Sequence, residues 1–299
     1  MTAVAQPPPV PEVPATVPAP RAASVLRRLV RHRLAAAGLV VVGLLVVFSF
    51  LGPLVHPADQ SVTNLQEASL PPGSAGHLLG TDGVGHDVLG RLMIGGRTSL
   101  IIGIATGLLA TVIGTVYGAV SGYFGGRVDA VMMRVVDAGI AIPALFLLLT
   151  AAAIIRPSVT SMVLILGFVS WLVPARLVRA EALSLRTRDY VAAVRAVGGS
   201  GTRIILRHIV PNTVGTITVN ATFQVADAIL LIAYVSFLGL GVPPPATDWG
   251  GMLSDGVTNI YSGAWWLIFP PGLAIVLVVC AFNLIGDGLR DAFEIRRSR

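Results

Sequence analysis

Lysine is missing altogether: all 21 basic residues of the 299-residue chain are arginine. That excludes a P-loop lysine, a Schiff-base lysine and a serine–lysine dyad. The one cysteine, Cys280, stands inside an apolar run, so an intrachain disulfide and a cysteine-built metal cluster are excluded as well. Charged residues make up only 12% of the chain, against 54% hydrophobic. A soluble domain needs polar groups to cover its outside, and this chain has too few; its composition is that of a multi-span membrane protein. Nucleophile and zinc-protease patterns are lacking too. VGGSGT, from Val197, fails G-x-S-x-G because Thr202 stands where the last glycine belongs. The chain thus reads as no enzyme, and any energy from ATP has to come from a partner.

Several long apolar runs are present. Residues 4–20 hold seven prolines without a periodic apolar face, which predicts a disordered, polyproline-like tail. The run 34–55 follows a basic stretch as a signal peptide would, but its 22 residues exceed the roughly 7–15 of a signal core. It predicts a first membrane helix. Further spans are expected at about 98–122, 134–155, 158–174, 213–239 and 264–286, each near the roughly 20 residues that cross a bilayer. The fourth is the shortest and is interrupted by Pro174.

Arginine placement sets the expected orientation. Only Arg91, Arg97 and Arg156 lie on one side of this six-span layout, and all the others lie on the opposite side. The positive-inside rule then puts both termini in the cytoplasm. The net charge of +6 sits in blocks between apolar runs, so orientation in lipid explains it and nucleic acid is not expected as a partner. The chain divides into a Pro-rich tail at 1–23, the first helix with an outer segment at 24–97, a five-helix core at 98–289 and a tail at 290–299. Two outer segments, about 56–97 and 240–263, are rich in Gly, Pro and Asp and read as structured caps. His77, His86, Asp82 and Asp87 share the first of these, but their spacing matches no zinc pattern.

The inner loop from Ala175 to Pro211 carries DYVAAVRAVGGSGTRIILRHIVPN, Asp189 to Asn212. Residues 181–197 lack Gly and Pro, and Tyr190, Val194 and Val197 recur at helical spacing. Ala192, Ala193 and Ala196 keep this helix slim, Gly198-Gly199 end it, and Ser200 is placed to cap a second one. Such a helix is built to insert into another protein, or else to lie on the lipid surface.

DYVAAVRAVG followed by RIILRHIVPN also resembles the cytoplasmic signature of ATP-driven importer permeases. HLLGTDGVGHDVLGRLMIGGRTSL, VSFLGLGVPPPATDWGGML and WWLIFPPGLAIVLVVCAFNLIGDGLRDAF are similar to other segments of the dipeptide, oligopeptide and nickel branch. They are most like its second permease subunit and together cover about residues 25–294. The resemblance implies an all-α membrane protein with the six-helix type I permease fold, in the bacterial inner membrane. It implies a coupling helix within about 181–210, with Asp189, Tyr190, Ala192, Ala193, Val194, Arg195 and Gly198 seated on an ATPase. The implied partners are a second permease subunit, two ATPases that bind ATP and Mg, an external substrate-binding protein and lipid. The chain itself would hold no cofactor. Cargo would be di- or oligopeptide, with nickel, glutathione or haem as alternatives. Two positions depart from the pattern: Ala192 replaces the signature glutamate, and His86 replaces an arginine usual in the branch.

Thr213, Thr216, Asn220, Gln224 and Asp227 fall on one face of the fifth span. Asn220, Gln224 and Asp227 are candidates for lining a translocation path; the alternative is helix–helix bonding. Gly103, Gly107, Gly114, Gly118 and Gly122 predict close packing of the second span. Asp137 is expected to pair with Arg134, three residues earlier on the same face. A self-sufficient secondary transporter is the more distant functional alternative, although the internal repeats common in that class are not evident.

Overall fold

The computed structural model describes residues 22–57, 62–74 and 76–294. The expected tail at 1–23 therefore lies almost wholly outside the described residues, as does the end of the second tail, 295–299. Among the described residues the architecture is helical: α1 (Ala22–Arg31), α2 (Arg33–Val55), α3 (Val88–Phe124), α4 (Gly126–Ala141), α5 (Ala144–Ile154), α6 (Val159–Ser170), α7 (Leu172–Leu185), α8 (Asp189–Ala196), α9 (Gly201–Ile204), α10 (Val210–Phe237), α11 (Trp249–Thr258) and α12 (Phe269–Glu294). The stretches Arg33–Val55, Val88–Phe124, Gly201–Phe237 and Trp265–Phe293 are each long and apolar enough to cross a membrane. Two bent pairs, α4 with α5 and α6 with α7, complete six spans if each pair is counted once.

α3 is the central post, packed against α2, α6, α7 and α10. Its glycines make this possible. A Cβ at Gly107 would stand 2.7 Å from Val225 Cγ2 on α10, and one at Gly114 would stand 2.5 Å from Pro174 Cβ on α7. Small residues let backbones approach where lipid supplies no hydrophobic drive between helices. The glycine series is thus split between two neighbours, α10 above and α7 below. Ile104, Leu108, Val112 and Val116 repeat along the opposite side of α3 and are exposed, as a face turned to lipid or to another subunit should be.

Four boundaries differ from the sequence reading. α3 begins at Val88, ten residues before the expected second span, because Asp87 caps it by accepting a hydrogen bond from the Gly90 amide at 2.7 Å. The expected third span bends by 82° between α4 and α5. Pro143 forces this: the residue before a proline is pushed out of the helical region, and Ile142 has φ −92° and ψ 130°. The fourth span does not stop at Pro174. It bends by 43° at Trp171 and continues as α7, with Pro174 in the first turn, where a missing N–H costs little. The last helix, α12, continues to Glu294, into the tail expected at 290–299.

The two capping segments meet at one end of the bundle. The Trp249 indole N–H donates to the Leu92 carbonyl at 2.9 Å, and the Trp266 indole N–H to the Thr81 carbonyl at 3.2 Å. Arg91 joins both segments: its guanidinium pairs with Asp82 and reaches Asp255 at 3.2 Å. His56, at the end of α2, and His77 both hydrogen-bond with Asp87, at 3.0 and 2.9 Å. Burial pushes the Asp82 carboxyl up, but the His86 amide and Arg91 outweigh it and hold it below its ordinary value. Asp87 is likewise raised by burial and pulled lower overall by the Gly90 amide, His77 and His56. His77 is thus bonded to Asp87 and His86 to Asp82 through one ring nitrogen each, and among the described residues no cluster of three has metal-binding geometry.

At the other end, α1 folds back on α12. Leu29 packs with Ala35, Ile285 and Leu289, and His32 lies 3.4 Å from Asp291.

Candidate functional site

α8 protrudes from the end opposite the caps. The helix expected over 181–197 is in fact two: α7 ends at Leu185, residues 186–188 turn the chain, and α8 starts at Asp189. Gly198 follows with φ +83°, the left-handed conformation that glycine adopts without strain. Ser200 then accepts the Arg203 amide at 3.4 Å and opens α9. The chain does not break again. A π-helical stretch, Ile205–Ile209, joins α9 to α10, and Pro211 sits in the first turn of the latter. A proline there denies one carbonyl of the preceding turn its partner, and the wider i→i+5 winding takes up the mismatch.

The apolar stripe is not the expected one. Val191 is fully buried, in a cluster with Ala119, Val178, Ala182, Ile204, Ile205 and Ile209. Val194 is half-buried beside it, whereas Tyr190 and Val197 are exposed, Val197 by 85%. One side of α8 is thereby clamped to α3, α7, α9 and the π-helical stretch. The other side presents Asp189, Tyr190, Ala192, Ala193 and Arg195 to the outside, with exposed Gly198 just beyond. The residues singled out from the sequence are therefore together, but their anchor, Val191, was not among them. The Tyr190 and His208 rings lie 6.1 Å apart between centroids, tilted by 44°, and the Arg195 guanidinium lies 5.6 Å from the Tyr123 ring centroid.

The second candidate set lies on α10, away from α8, and its members divide. Gln224 is 6% exposed and its side-chain amide donates to the Ser170 carbonyl at 2.7 Å, where the chain bends between α6 and α7. Thr213 is 1% exposed and bonds within its own helix, to the Val210 carbonyl, while the Thr216 hydroxyl donates to Glu181. These contacts hold the chain together. Asn220 is half-buried, and its Oδ1 is buried without a hydrogen-bond partner. Asp227 is exposed, between the buried Ala226 and Ala228. The polar face thus has an inner edge bonded to α6 and α7 and an outer edge, ending in Asp227, that this chain leaves open. A carboxylate on the outside of a membrane span must meet water or another protein, because hydrocarbon is too costly.

Asp137 pairs with Arg176 of α7 at 2.5 Å, not with Arg134 as expected. Asp129, on the same short helix α4, takes two hydrogen bonds from Arg179, each of 2.5 Å. Both pairs fasten α4 to α7 across the bend, a role that no spacing within one helix could reveal.

Residues 114–299 match the family described as the inner membrane component of binding-protein-dependent transport systems. Residues 21–72 match the N-terminal transmembrane domain of oligopeptide transport permease C. The chain is 39% identical over 273 residues to the dipeptide transport system permease protein DppC of Bacillus subtilis (strain 168), covering 91% of this chain and 85% of that protein. It is 38% identical over 263 residues to the oligopeptide transport system permease protein OppC of the same organism, covering 88% and 86%. To the OppC protein of Haemophilus influenzae it is 38% identical over 269 residues, covering 90% and 86%. With its bundle of apolar helices and these matches along nearly its whole length, the chain belongs to the binding-protein-dependent transport system inner membrane components, multi-pass permeases of the type I fold.

Proposed function

We propose that this chain is one of two permease subunits of an ATP-driven importer that carries di- or oligopeptides across the cytoplasmic membrane. The observation that carries the reading is the posture of α8. A short helix is clamped to four elements of the bundle through Val191, while a slim, alanine-rich face points outward. A rod held this way moves with the spans when something outside pushes it. The partner that pushes is a pair of ATPases, which bind ATP and Mg; α8 and both chain ends face the cytoplasm in this reading, in agreement with the arginine distribution. A second permease subunit covers the open edge of α10, and the path runs between the two, past Asn220 and Asp227. An external binding protein delivers cargo over the caps. ATP-driven closure of the ATPases moves the coupling helices and turns the cavity outward; hydrolysis resets it. Gln224, bonded to Ser170, positions α10 against the α6–α7 bend in this scheme.

The peptide cargo is favoured by the relatives, which are named for dipeptide and oligopeptide transport. Gentle solubilisation of the tagged protein from its own membranes tests the assembly. A P-loop ATPase and a second permease should come with it, and a lone, transport-active chain would overturn the reading. Competition of dipeptides, longer peptides, nickel, glutathione and haem for uptake by the recovered complex then tests the cargo.

A further inference from the structure

Beside α8 lies an open groove of about 590 Å3, lined by Tyr123, Phe124, Arg186, Thr187, Ala192 and Arg195. Two of its six residues are cationic and none is acidic. Arg186 reaches the carbonyls of Gly122 and Tyr123 at 3.5 Å, closing the end of α3, and Arg195 lies over the Tyr123 ring. Neither arginine forms an ion pair with a carboxylate among the described residues. The two arginines of α7 are different: Arg176 and Arg179 are taken by Asp137 and Asp129. Asp189, one turn before Ala192, does not line the groove and is paired with neither cation. Asp129, bonded to Arg179, also feels the charge of Arg186 from outside the groove, while the lining itself holds two cations and no acid.

Ala192 is the residue that leaves the space open. A glutamate at this position would put a carboxylate within reach of Arg186 and Arg195 and neutralise them from inside. A methyl group leaves both guanidinium groups available and room for a foreign side chain.

We infer that this groove is a socket for an acidic side chain of the ATPase that docks on α8, so that the charge at this contact comes from the partner and not from position 192. The inference rests on reading α8 as the docking helix, and the experiment separates the two. Ala192 and Arg195 are both exposed, so Ala192→Glu disturbs no buried packing and Arg195→Gln gives up only the contact with the Tyr123 ring, which Arg195→Lys can keep. The permease pair carrying each variant is reconstituted in phosphatidylcholine nanodiscs, and ATPase binding is titrated at 50 and 500 mM salt. Both variants should weaken binding about fivefold or more at low salt, and the difference should shrink at high salt, where a Debye length of a few ångströms screens an open contact. Arg195→Lys should bind as the parent does. Tighter binding by Ala192→Glu would overturn the socket, since the partner would then offer a cation. Unchanged binding by both variants would also overturn it. So would an effect seen only when anionic phosphatidylglycerol is added to the nanodiscs, because the groove would then hold a lipid phosphate. Val197→Asp is the control for the docking reading: if it abolishes binding while the groove variants do nothing, α8 docks but the socket fails. If Val197→Asp and both groove variants all bind normally, the docking reading itself falls.

Discussion

Val191→Ala should uncouple α8 from the bundle without unfolding the protein. The side chain is fully buried among six residues from α3, α7, α9 and the π-helical stretch. Truncation removes two methyl groups, worth about 1.6 kcal/mol at ~0.8 kcal/mol per buried carbon. A residual void of roughly 50 Å3 adds about 1 kcal/mol at ~24 cal/mol per Å3. The total, about 2–3 kcal/mol, shifts the balance between seated and loose α8 by roughly 30- to 150-fold. What remains is small: a half-buried Val194, a ring contact to His208 and an exposed cation–π contact of about 0.5–1 kcal/mol. Hydrogen exchange at residues 189–196 should therefore accelerate by more than tenfold, with α3 and α10 unchanged. In the assembled importer, ATPase subunits should still bind, because the outward face is intact, but peptide uptake per ATP hydrolysed should fall at least tenfold. Val197→Ala, at an 85% exposed position, is the counterpart. It should leave exchange unaltered and weaken ATPase binding instead. If Val191→Ala exchanged and transported within twofold of the parent, the clamp would not be the means by which α8 moves with the spans.

Three further outcomes are expected. Gly114→Leu should abolish accumulation of folded protein, since its Cβ would stand 2.5 Å from Pro174 Cβ and 2.9 Å from the Ala175 nitrogen; Gly43→Leu, with nothing within 4 Å, should be tolerated, and fluorescence-detected size exclusion compares them. Asp227→Leu should reduce uptake more than Asp227→Asn does, while both leave ATPase binding intact; parental uptake by both variants would remove Asp227 from the path. Acid should loosen the caps only below about pH 4. Asp82 and Asp87 are held below their ordinary value of 3.8 in the folded protein, so their contribution is complete above 3.8 and lost as pH falls through the lowered values. Asp255, which burial raises, acts in the opposite sense because its charge is already a cost at neutral pH. Tryptophan emission from Trp249 and Trp266 reports this end, and a transition below pH 4 that is the same in Asp82→Asn would refute the assignment.

Hydropathy made most of the spans legible because a bilayer demands long apolar helices whatever they pack against. It misplaced their ends where local polar residues stay helical for tertiary reasons. Gly90, Arg91, Gly95, Gly96 and Arg97 look like loop, yet Gly96 is small because Ser49 and Trp249 press on it, and Arg91 is bonded on both sides. Pro143 and Pro174 carried opposite meanings, one breaking a span and the other opening a helix. Only the position of each proline relative to a helix start separates these cases, and a hydropathy window does not resolve that position.

The same limit explains the site. α8 was legible in the sequence because its alanines and its glycine stop are local signals, whereas its start was merged with α7. Its orientation was not found, because Tyr190, Val191, Val194 and Val197 are all apolar, and two helical stripes through them are equally regular. Burial by Ala119, Val178 and Ile204 selects Val191 over Tyr190, and those residues are distant in the chain. Asp137 and Arg176 repeat the lesson for charge: they are 39 residues apart, and the nearer Arg134 satisfied the spacing rule without being the partner. In a bundle whose helices are joined mostly by small residues, the few polar links across helices fix which faces meet. Arg179→Met should therefore loosen α4 on α7, with the more exposed Arg176–Asp137 pair still in place, and Arg176→Met with Arg179→Met should loosen it further. Hydrogen exchange over residues 126–141 should rise in that order, and parental exchange in the double variant would refute the role of both pairs.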